Sequence, residues 1–446
     1  MNRTTAVLMQ ASLLFSLCTH AQKDTFRIAS GELLHQGDSL YDSSQYRRAI
    51  QTFSRVEPND TNYVRALYGI SLCYYADSQF NKSADYCRKA LSLNEDAEKW
   101  PDIINHYGNS LDVADLHDQA LNIYDSGIHR YPAYGFFYLN KGSTLMGLKK
   151  YAEAEKVFQQ GLMVSPYTYS LYFKLGVVAL TQGKLIPATL CFTTYLLMTP
   201  EGRYHSNCIS FLSAISKYKD DVRELIEQRK EEPDENYKML EDILESKIAL
   251  EKNYKPIIHL DDAISRQIQV LFEKMEYVPA DSDFYMQYLI PYFKTVYTGG
   301  QFEPFINHIF SGVDVDVIQE YVKKNKKSID ALTSQAADYF NLIRSSRELT
   351  FNKRNTDGVL WYYYDGGLDS HGKYIDKEKK TVGPWEFYYK PGNLKSKGEF
   401  TNEGKKDGPW IYYYSNGEIK GKKFTLIFPS DCGAGLPRLT WVNGED

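Results

Sequence analysis

The chain has 446 residues, a formal net charge of -5 and a sequence pI near 6.0. This length suits two to four domains or one long repeat array. The slightly acidic balance excludes the strongly basic class of nucleic-acid-binding proteins, so no nucleic acid is expected among the partners.

The N-terminus has the pattern of a leader peptide. Arg3 precedes an apolar run from Ala6 to Leu17, and a Thr-x-Ala sequence ends at Ala21. The run is too short to span a bilayer, so it predicts a signal peptide at residues 1–21. A lipid anchor on Cys18, which would need a small residue where Leu17 stands, and a retained segment are the alternatives. We expect an exported protein, periplasmic, outer-membrane-associated or secreted, with no transmembrane segment after cleavage.

The cysteines that follow the leader are Cys73, Cys87, Cys191, Cys208 and Cys432. An odd number without a CxxC pair is not the spacing of a disulfide framework. We therefore expect them to be small buried residues of the core.

Three 34-residue units follow one another between residues 101 and 202. Four kinds of residue recur at that step: Gly108, Gly142 and Gly176; Ala120, Ala154 and Ala188; Tyr124, Phe158 and Phe192; Pro132, Pro166 and Pro200. The period predicts pairs of helices, A and B, that bury their apolar stripes against neighbouring pairs. The small residues let the two helices approach closely, and the proline ends helix B.

These units resemble the tetratricopeptide repeat (TPR), as in Tyr138, Lys141-Gly142 and Leu145 followed by Ala154, Phe158 and Pro166. Two looser units precede them, with Leu33, Gly37, Ala49 and Phe53 in one and Leu67, Ser71, Ser83 and Cys87 in the other. The resemblance implies an α-α superhelical solenoid of about five repeats over residues 25–202.

Residues 203–350 keep helical spacing of apolar residues but lose the 34-residue step. Five prolines interrupt the segment, at Pro233, Pro256, Pro279, Pro291 and Pro304. Several short helices are expected, either as a cap on the solenoid or as a separate helical domain.

Residues 351–424 change to a 25-residue period. Gly358, Gly383 and Gly408 recur at that step, and each precedes an aromatic run that contains Trp361, Trp385 or Trp410. Aromatic runs separated by Asn-Gly-type turns predict β-hairpins that stack into an antiparallel meander. The units resemble bacterial MORN-type repeats, and residues 425–446 are either a tail or a final strand that contains Trp441.

A TPR solenoid has a concave wall formed mainly by its A helices, and alignment on the small-residue column predicts which side chains line it. They are Tyr68, Leu72, Tyr75, Asn105, Asn109, Asp112, Leu139, Asn140, Ser143, Met146, Phe173, Lys174 and Val177. This mixed apolar and amide set suits an extended peptide or a partner helix, although some members are equally expected to pack beneath neighbouring repeats.

Some TPR proteins bind a carboxylate with a Lys, Asn, Asn, Lys, Arg set. The matching positions here are Asn105, Asn109, Asn140, Ser170 and Lys174. Two cations are missing, which argues against carboxylate capture.

The β-repeats offer a second candidate surface, an aromatic face that would stack on sugar rings or contact another protein. Its predicted members are Trp361, Tyr363, Trp385, Tyr388, Trp410 and Tyr413. Burial of these rings against one another is the other interpretation.

Enzyme motifs are missing from the sequence: it has no HExxH, no Gly-rich phosphate loop after a strand and no GxSxG elbow, and these are the patterns that mark common catalytic sites. We expect no cofactor, no metal and no catalysis. The sequence predicts a protein–protein interaction scaffold at the bacterial cell envelope, with a carbohydrate- or envelope-binding module as the alternative.

Overall fold

The structure is a computed structural model. It describes residues 30–93, 100–131, 134–230, 234–346, 348–350, 353–355, 359–362, 368–375, 380–388, 394–414, 419–425 and 440–442. The chain divides into two compact units, Met1–Gly127 and Ile128–Asp446. The predicted leader, Cys432 and most of the tail lie outside the described residues.

The first unit consists of three helical hairpins. Their helices are α1 (30–42), α2 (Tyr46–Phe53), α3 (Tyr63–Ala76), α4 (Phe80–Ser92), α5 (Trp100–Val113) and α6 (His117–Arg130), which runs past the unit boundary. Leu34, Phe53, Ile70 and Cys73 are buried together in the core of the first two hairpins.

The second unit begins with two further repeat hairpins and continues with helices of 5 to 12 residues before a last helix of 21 residues. Its helices are α7 (Gly135–Gly147), α8 (Tyr151–Val164), α9 (Ser170–Thr181), α10 (Leu185–Met198), α11 (His205–Ser216), α12 (Asp220–Glu227), α13 (Glu235–Ser246), α14 (Ala263–Lys274), α15 (Phe284–Tyr288), α16 (Ile290–Thr298), α17 (Phe302–Ile309), α18 (Asp316–Lys324) and α19 (Lys326–Ser346).

The same tight turn joins helix A to helix B in each repeat. One residue adopts a positive φ, and the N–H of the next residue donates to the carbonyl five residues earlier, which satisfies a carbonyl at the end of helix A. The positive-φ residues are Ser44, Ser78, Asp115, Lys149 and Gly183 in the five predicted repeats. The turn recurs at Tyr218 and Gly300, so helical hairpins continue beyond residue 202 although the sequence period does not.

Glycines in the A helices allow aromatic rings from the B helices to pack directly on the backbone. A Cβ on Gly108, Gly142 or Gly176 would lie 2.4, 2.2 or 2.7 Å from the ring of Tyr124, Phe158 or Phe192, respectively. The predicted role of the small-residue column is thereby confirmed. In the first two hairpins, Gly37 and Gly69 both face Phe53.

The later helices pack on the fourth and fifth repeats. Tyr285 on α15 donates its hydroxyl to the buried Glu155 carboxylate of α8 at 2.7 Å, and Tyr288 donates to the Leu162 carbonyl at 3.0 Å. On α17, His308 donates to the Leu197 carbonyl of α10 at 2.9 Å. These hydrogen bonds join the later helices to α8 and α10, the B helices of the last two repeats.

Strands follow the helices as predicted. A short hairpin, β1 (Glu348–Thr350) and β2 (Lys353–Asn355), precedes a seven-stranded antiparallel sheet with its strands in chain order. These seven are β3 (Val359–Tyr362), β4 (Leu368–Ile375), β5 (Lys380–Tyr388), β6 (Leu394–Phe400), β7 (Lys406–Tyr413), β8 (Ile419–Thr425) and β9 (Thr440–Val442). Trp441 thus lies in a final strand, opposite Lys423.

One contact in the sheet resembles the glycine-to-ring contact of the helical repeats. A Cβ on Gly398 of β6 would lie 2.4 Å from the Trp410 ring of β7, so the glycine makes room for the tryptophan. The Trp410 indole N–H donates to the Glu399 carbonyl at 3.2 Å. The predicted fold class, TPR-like helical hairpins followed by an antiparallel β-meander, is confirmed.

Among the described residues, four cysteines are free and buried: Cys73, Cys87, Cys191 and Cys208. This agrees with the core-packing prediction. None of the helices in the described ranges combines the length and apolar character that crossing a lipid bilayer requires.

Candidate functional site

In the first unit, the predicted groove residues occupy matching positions on two A helices. Tyr68, Leu72 and Tyr75 follow an i, i+4, i+7 spacing on α3, and Asn105, Asn109 and Asp112 repeat that spacing on α5. Side chains at this spacing share one helix face. All six are partly exposed, and we call them the α3–α5 surface.

His106 holds the two tyrosines of this surface in place. The imidazole is 7% exposed, and its ring centroid lies 5.8 Å from that of Tyr68 and 5.0 Å from that of Tyr75. Its Nε2 lies 3.2 Å from the Ser83 hydroxyl of α4. Burial lowers the pKa of His106 to about 4, so the ring is neutral near pH 7.

Serines replace the small residues of the second repeat, and they complete this buried network. The Ser83 hydroxyl donates to the Ser71 carbonyl at 2.8 Å, and it lies 2.8 Å from the Ser110 hydroxyl. A buried hydroxyl needs such partners. The sequence pattern places Ser71 and Ser83 in the second repeat but does not single out His106, because its partner Ser83 lies 23 residues away.

Asn109 is also fixed by a contact within its own repeat. The Tyr124 hydroxyl, at the far end of the ring that packs on Gly108, donates to the Asn109 Oδ1 at 2.7 Å. The recurring glycine-to-aromatic contact therefore places a hydrogen-bond donor beneath the α3–α5 surface.

In the second unit, the predicted residues of α7 and α9 differ in exposure. Leu139, Asn140, Ser143 and Met146 are partly exposed on α7. Phe173 on α9, by contrast, is 7% exposed and is covered within the chain. Its ring stacks on Tyr204 at 4.0 Å, so this side chain packs between helices instead of lining an open wall.

The positions matched to a carboxylate-binding set are divided between the two units. Asn105 and Asn109 belong to the first, and Asn140, Ser170 and Lys174 belong to the second. Burial, and then the neighbouring Arg203, lower the pKa of Lys174. Val177, the last of the predicted groove residues, is partly exposed.

The predicted aromatic face of the sheet is largely buried where its side chains are described. Trp385 is 3% exposed and Trp410 is fully covered, whereas Tyr413 is partly exposed. The Phe400 ring packs edge-on against both tryptophans, with centroids 6.2 and 5.0 Å away. The two tryptophans are thus core residues of the sheet. Trp361, Tyr363 and Tyr388 lie outside the residues whose side chains the structure describes.

A cavity of about 870 Å³ lies where the hairpin turns of the fourth and fifth repeats meet α12, α13 and α15. Its buried carboxylates have internal partners. Lys184 pairs with Glu155 at 2.7 Å, Arg229 pairs with Glu241 at 2.8 Å, and the Tyr237 hydroxyl donates to Asp283. This pairing is that of a structural network, because each buried charge is already neutralised or hydrogen-bonded.

Family models of the tetratricopeptide repeat match residues 34–99 and 137–168. The TPR repeat-containing protein MJ1428 of Methanocaldococcus jannaschii is 24% identical over 168 residues, which is 36% of this chain and 30% of that protein. The chain thus spans less than a third of the length of this relative.

Two solved TPR structures are also similar over part of the chain. The thermophilic TPR protein TTC0263 of Thermus thermophilus is 18% identical, over 41% of this chain and 99% of that one, with a TM-score of 0.35. YrrB, described as a TPR protein with an unusual peptide-binding site, is 15% identical, over 43% of this chain and 97% of that one, with a TM-score of 0.32. Residues 34–99 and 137–168 are therefore the segments in which this chain is similar to tetratricopeptide repeats.

Proposed function

We propose that this protein is a non-catalytic scaffold of the bacterial cell envelope that binds a partner polypeptide through the A helices of its repeats. The observation that carries the proposal is the α3–α5 surface, where Tyr68, Leu72 and Tyr75 lie beside a row of amide and carboxylate side chains. Partly exposed tyrosines beside hydrogen-bonding groups are typical of peptide-binding surfaces. The repeats themselves supply the rigid support.

The envelope location rests on the leader-like N-terminus and on the MORN-type pattern of the C-terminal hairpins. We infer cleavage after Ala21 and export, with the β-meander as a second module of the scaffold. Mass spectrometry of the N-terminus of the mature protein tests this. A mature chain that begins at Gln22 supports export, and a chain that retains Met1 or Asn2 contradicts it.

Site-specific cross-linking in the native host tests the scaffold proposal. A photoreactive phenylalanine analogue replaces Leu72 on the α3–α5 surface, and in a control protein it replaces Tyr86 on helix B of the same repeat. We expect a discrete polypeptide adduct from position 72 and none of the same mass from position 86. The proposal fails if both positions give the same adducts or if neither gives one.

The alternative, glycan binding through the β-repeats, has weaker support because Trp385 and Trp410 are buried. Among the described side chains of the sheet, Tyr414, which is 49% exposed, and the partly exposed Tyr413 are adjacent rings able to stack on a sugar. Retention of the protein on purified cell wall, with loss of retention in a Tyr413→Ala/Tyr414→Ala variant, would favour this function over the first.

A further inference from the structure

Charge is unevenly distributed between the A and B helices of the first unit. The A helices α1, α3 and α5 carry five carboxylates and one cation: Glu32, Asp38, Asp42, Asp102, Asp112 and Arg65. The cation, Arg65, is paired with Asp38 at 3.0 Å. The B helices α2, α4 and α6 carry six cations and three carboxylates: Arg47, Arg48, Lys82, Arg88, Lys89, Arg130, Asp85, Asp118 and Asp125. They are basic on balance, although α6 by itself has one more carboxylate than cations. The A-helix side is therefore the acidic one.

Two of the carboxylates lie on the α3–α5 surface or extend it. Asp102 precedes Asn105 by three residues and Asp112 follows Asn109 by three, so the four side chains form one stripe along α5. Asp112 Oδ1 lies 2.9 Å from the His117 Nδ1, which fixes this carboxylate at the C-terminal end of the stripe.

The His106 ring of α5 contacts both tyrosines of α3, with centroids 5.8 Å from Tyr68 and 5.0 Å from Tyr75, so the acidic helix α5 lies beside them. Burial, and then Asp102, raise the pKa of the Tyr68 hydroxyl. Burial and Asp112 do the same to the pKa of the Tyr75 hydroxyl. Each end of the surface thus pairs one tyrosine with one carboxylate, and His106, neutral at pH 7, supports both rings from beneath.

A tyrosine face beside a carboxylate attracts a cation in two ways, through the ring quadrupole and through charge. The same arrangement repels a carboxylate. We propose that the partner segment bound by the α3–α5 surface is basic, with Lys or Arg side chains directed toward the Tyr68–Asp102 and Tyr75–Asp112 pairs. This inference rests on the proposed scaffold function and adds the chemistry of the bound polypeptide.

The test measures binding of short synthetic peptides to the full chain by fluorescence anisotropy. Three probe peptides share one leucine-containing sequence and carry lysine, glutamine or glutamate at the same positions. We expect the lysine peptide to bind about tenfold tighter than the glutamine peptide at low salt, with the preference reduced at high salt. The glutamate peptide should bind more weakly than either.

Two double variants assign this preference to the surface. Asp102→Asn/Asp112→Asn should reduce the preference for lysine to less than about threefold, since the tyrosines remain. The control, Asp85→Asn/Asp118→Asn, removes two exposed carboxylates from the B helices and should leave the preference unchanged. Circular dichroism establishes that both variants are folded.

The outcomes separate this inference from the scaffold proposal. If the three peptides bind equally and Tyr68→Ala/Tyr75→Ala abolishes binding, the surface binds peptides but the inferred basic partner is wrong. If no peptide binds, or if the control variant loses the preference as much as the test variant, the inference is also overturned. The scaffold proposal is then judged by the cross-linking experiment alone.

Discussion

Substitution of Gly142 by alanine tests the packing that sets the 34-residue period. The new Cβ would lie 2.2 Å from Cε1 of Phe158, a ring with no exposed surface. Overpacking of this kind costs about 1–3 kcal/mol, whereas the higher helix propensity of alanine returns about 1 kcal/mol. We expect Gly142→Ala to lower the free energy of unfolding of this repeat by up to about 2 kcal/mol.

The same helix provides a matched control. A Cβ on Gly147, the last residue of α7, would have no atom within 4 Å, so alanine there gains propensity without a clash. Gly147→Ala should be neutral or stabilising by up to about 1 kcal/mol. The two variants differ in one contact, the ring of Phe158.

Hydrogen exchange of the α7 and α8 amides is the appropriate assay, because a repeat protein does not unfold as a single two-state unit. Exchange should be faster in Gly142→Ala than in Gly147→Ala. Adding Phe158→Leu to Gly142→Ala should recover part of the loss by removing the ring that clashes. Equal protection in the two alanine variants would refute the argument that ring-to-backbone packing requires glycine at this position.

Three other variants, the last with a control variant, test contacts elsewhere in the chain. The pKa of His106 is about 4 in the folded protein and near 6.5 in the unfolded chain. The contribution of His106 to stability is therefore complete above pH 6.5, and about 3 kcal/mol is lost as the pH falls to 4. His106→Gln should weaken this pH dependence in the hydrogen exchange of the α3 and α5 amides, and an unchanged pH dependence would contradict the argument. Burial raises the pKa of Asp283 to about 6, so its contribution is complete below pH 3.8 and about 3 kcal/mol is lost as the pH rises through 6. Asp283→Asn keeps an N-cap for α15 and should remove this pH-dependent loss of stability in the helices around α15. A variant whose stability depends more strongly on pH than that of the natural protein would contradict the argument. Trp410→Ala should destabilise the sheet by about 3–5 kcal/mol, measured by near-ultraviolet circular dichroism during urea unfolding, whereas Tyr414→Ala, at an exposed ring, should change stability by less than about 0.5 kcal/mol.

The helical repeats were predictable because one contact repeats at a fixed step. The contact between Gly142 and Phe158 recurs as Gly108 with Tyr124 and Gly176 with Phe192, so its spacing is visible in the sequence. The hairpins that follow residue 202 were not predictable from a period. Their turns at Tyr218 and Gly300 keep the backbone geometry of the repeat turns, but the lengths of their helices change. A turn defined by φ and one hydrogen bond leaves little trace in residue identity when it tolerates Ser, Asp, Lys, Tyr and Gly alike.

The sheet shows why a candidate site is harder to predict than a fold. The sequence identified Trp385 and Trp410 by their period, but periodic residues are those that every unit needs for its own packing, and both are buried. Residues that bind a partner need not recur from repeat to repeat, and the side chains of the α3–α5 surface do not. Helix α5 has the same spacing of surface positions as α3, but Asn105 and Asp112 stand where α3 has Tyr68 and Tyr75. In a repeat protein, the period therefore marks the scaffold, and departures from it on an exposed face are the better indication of a site.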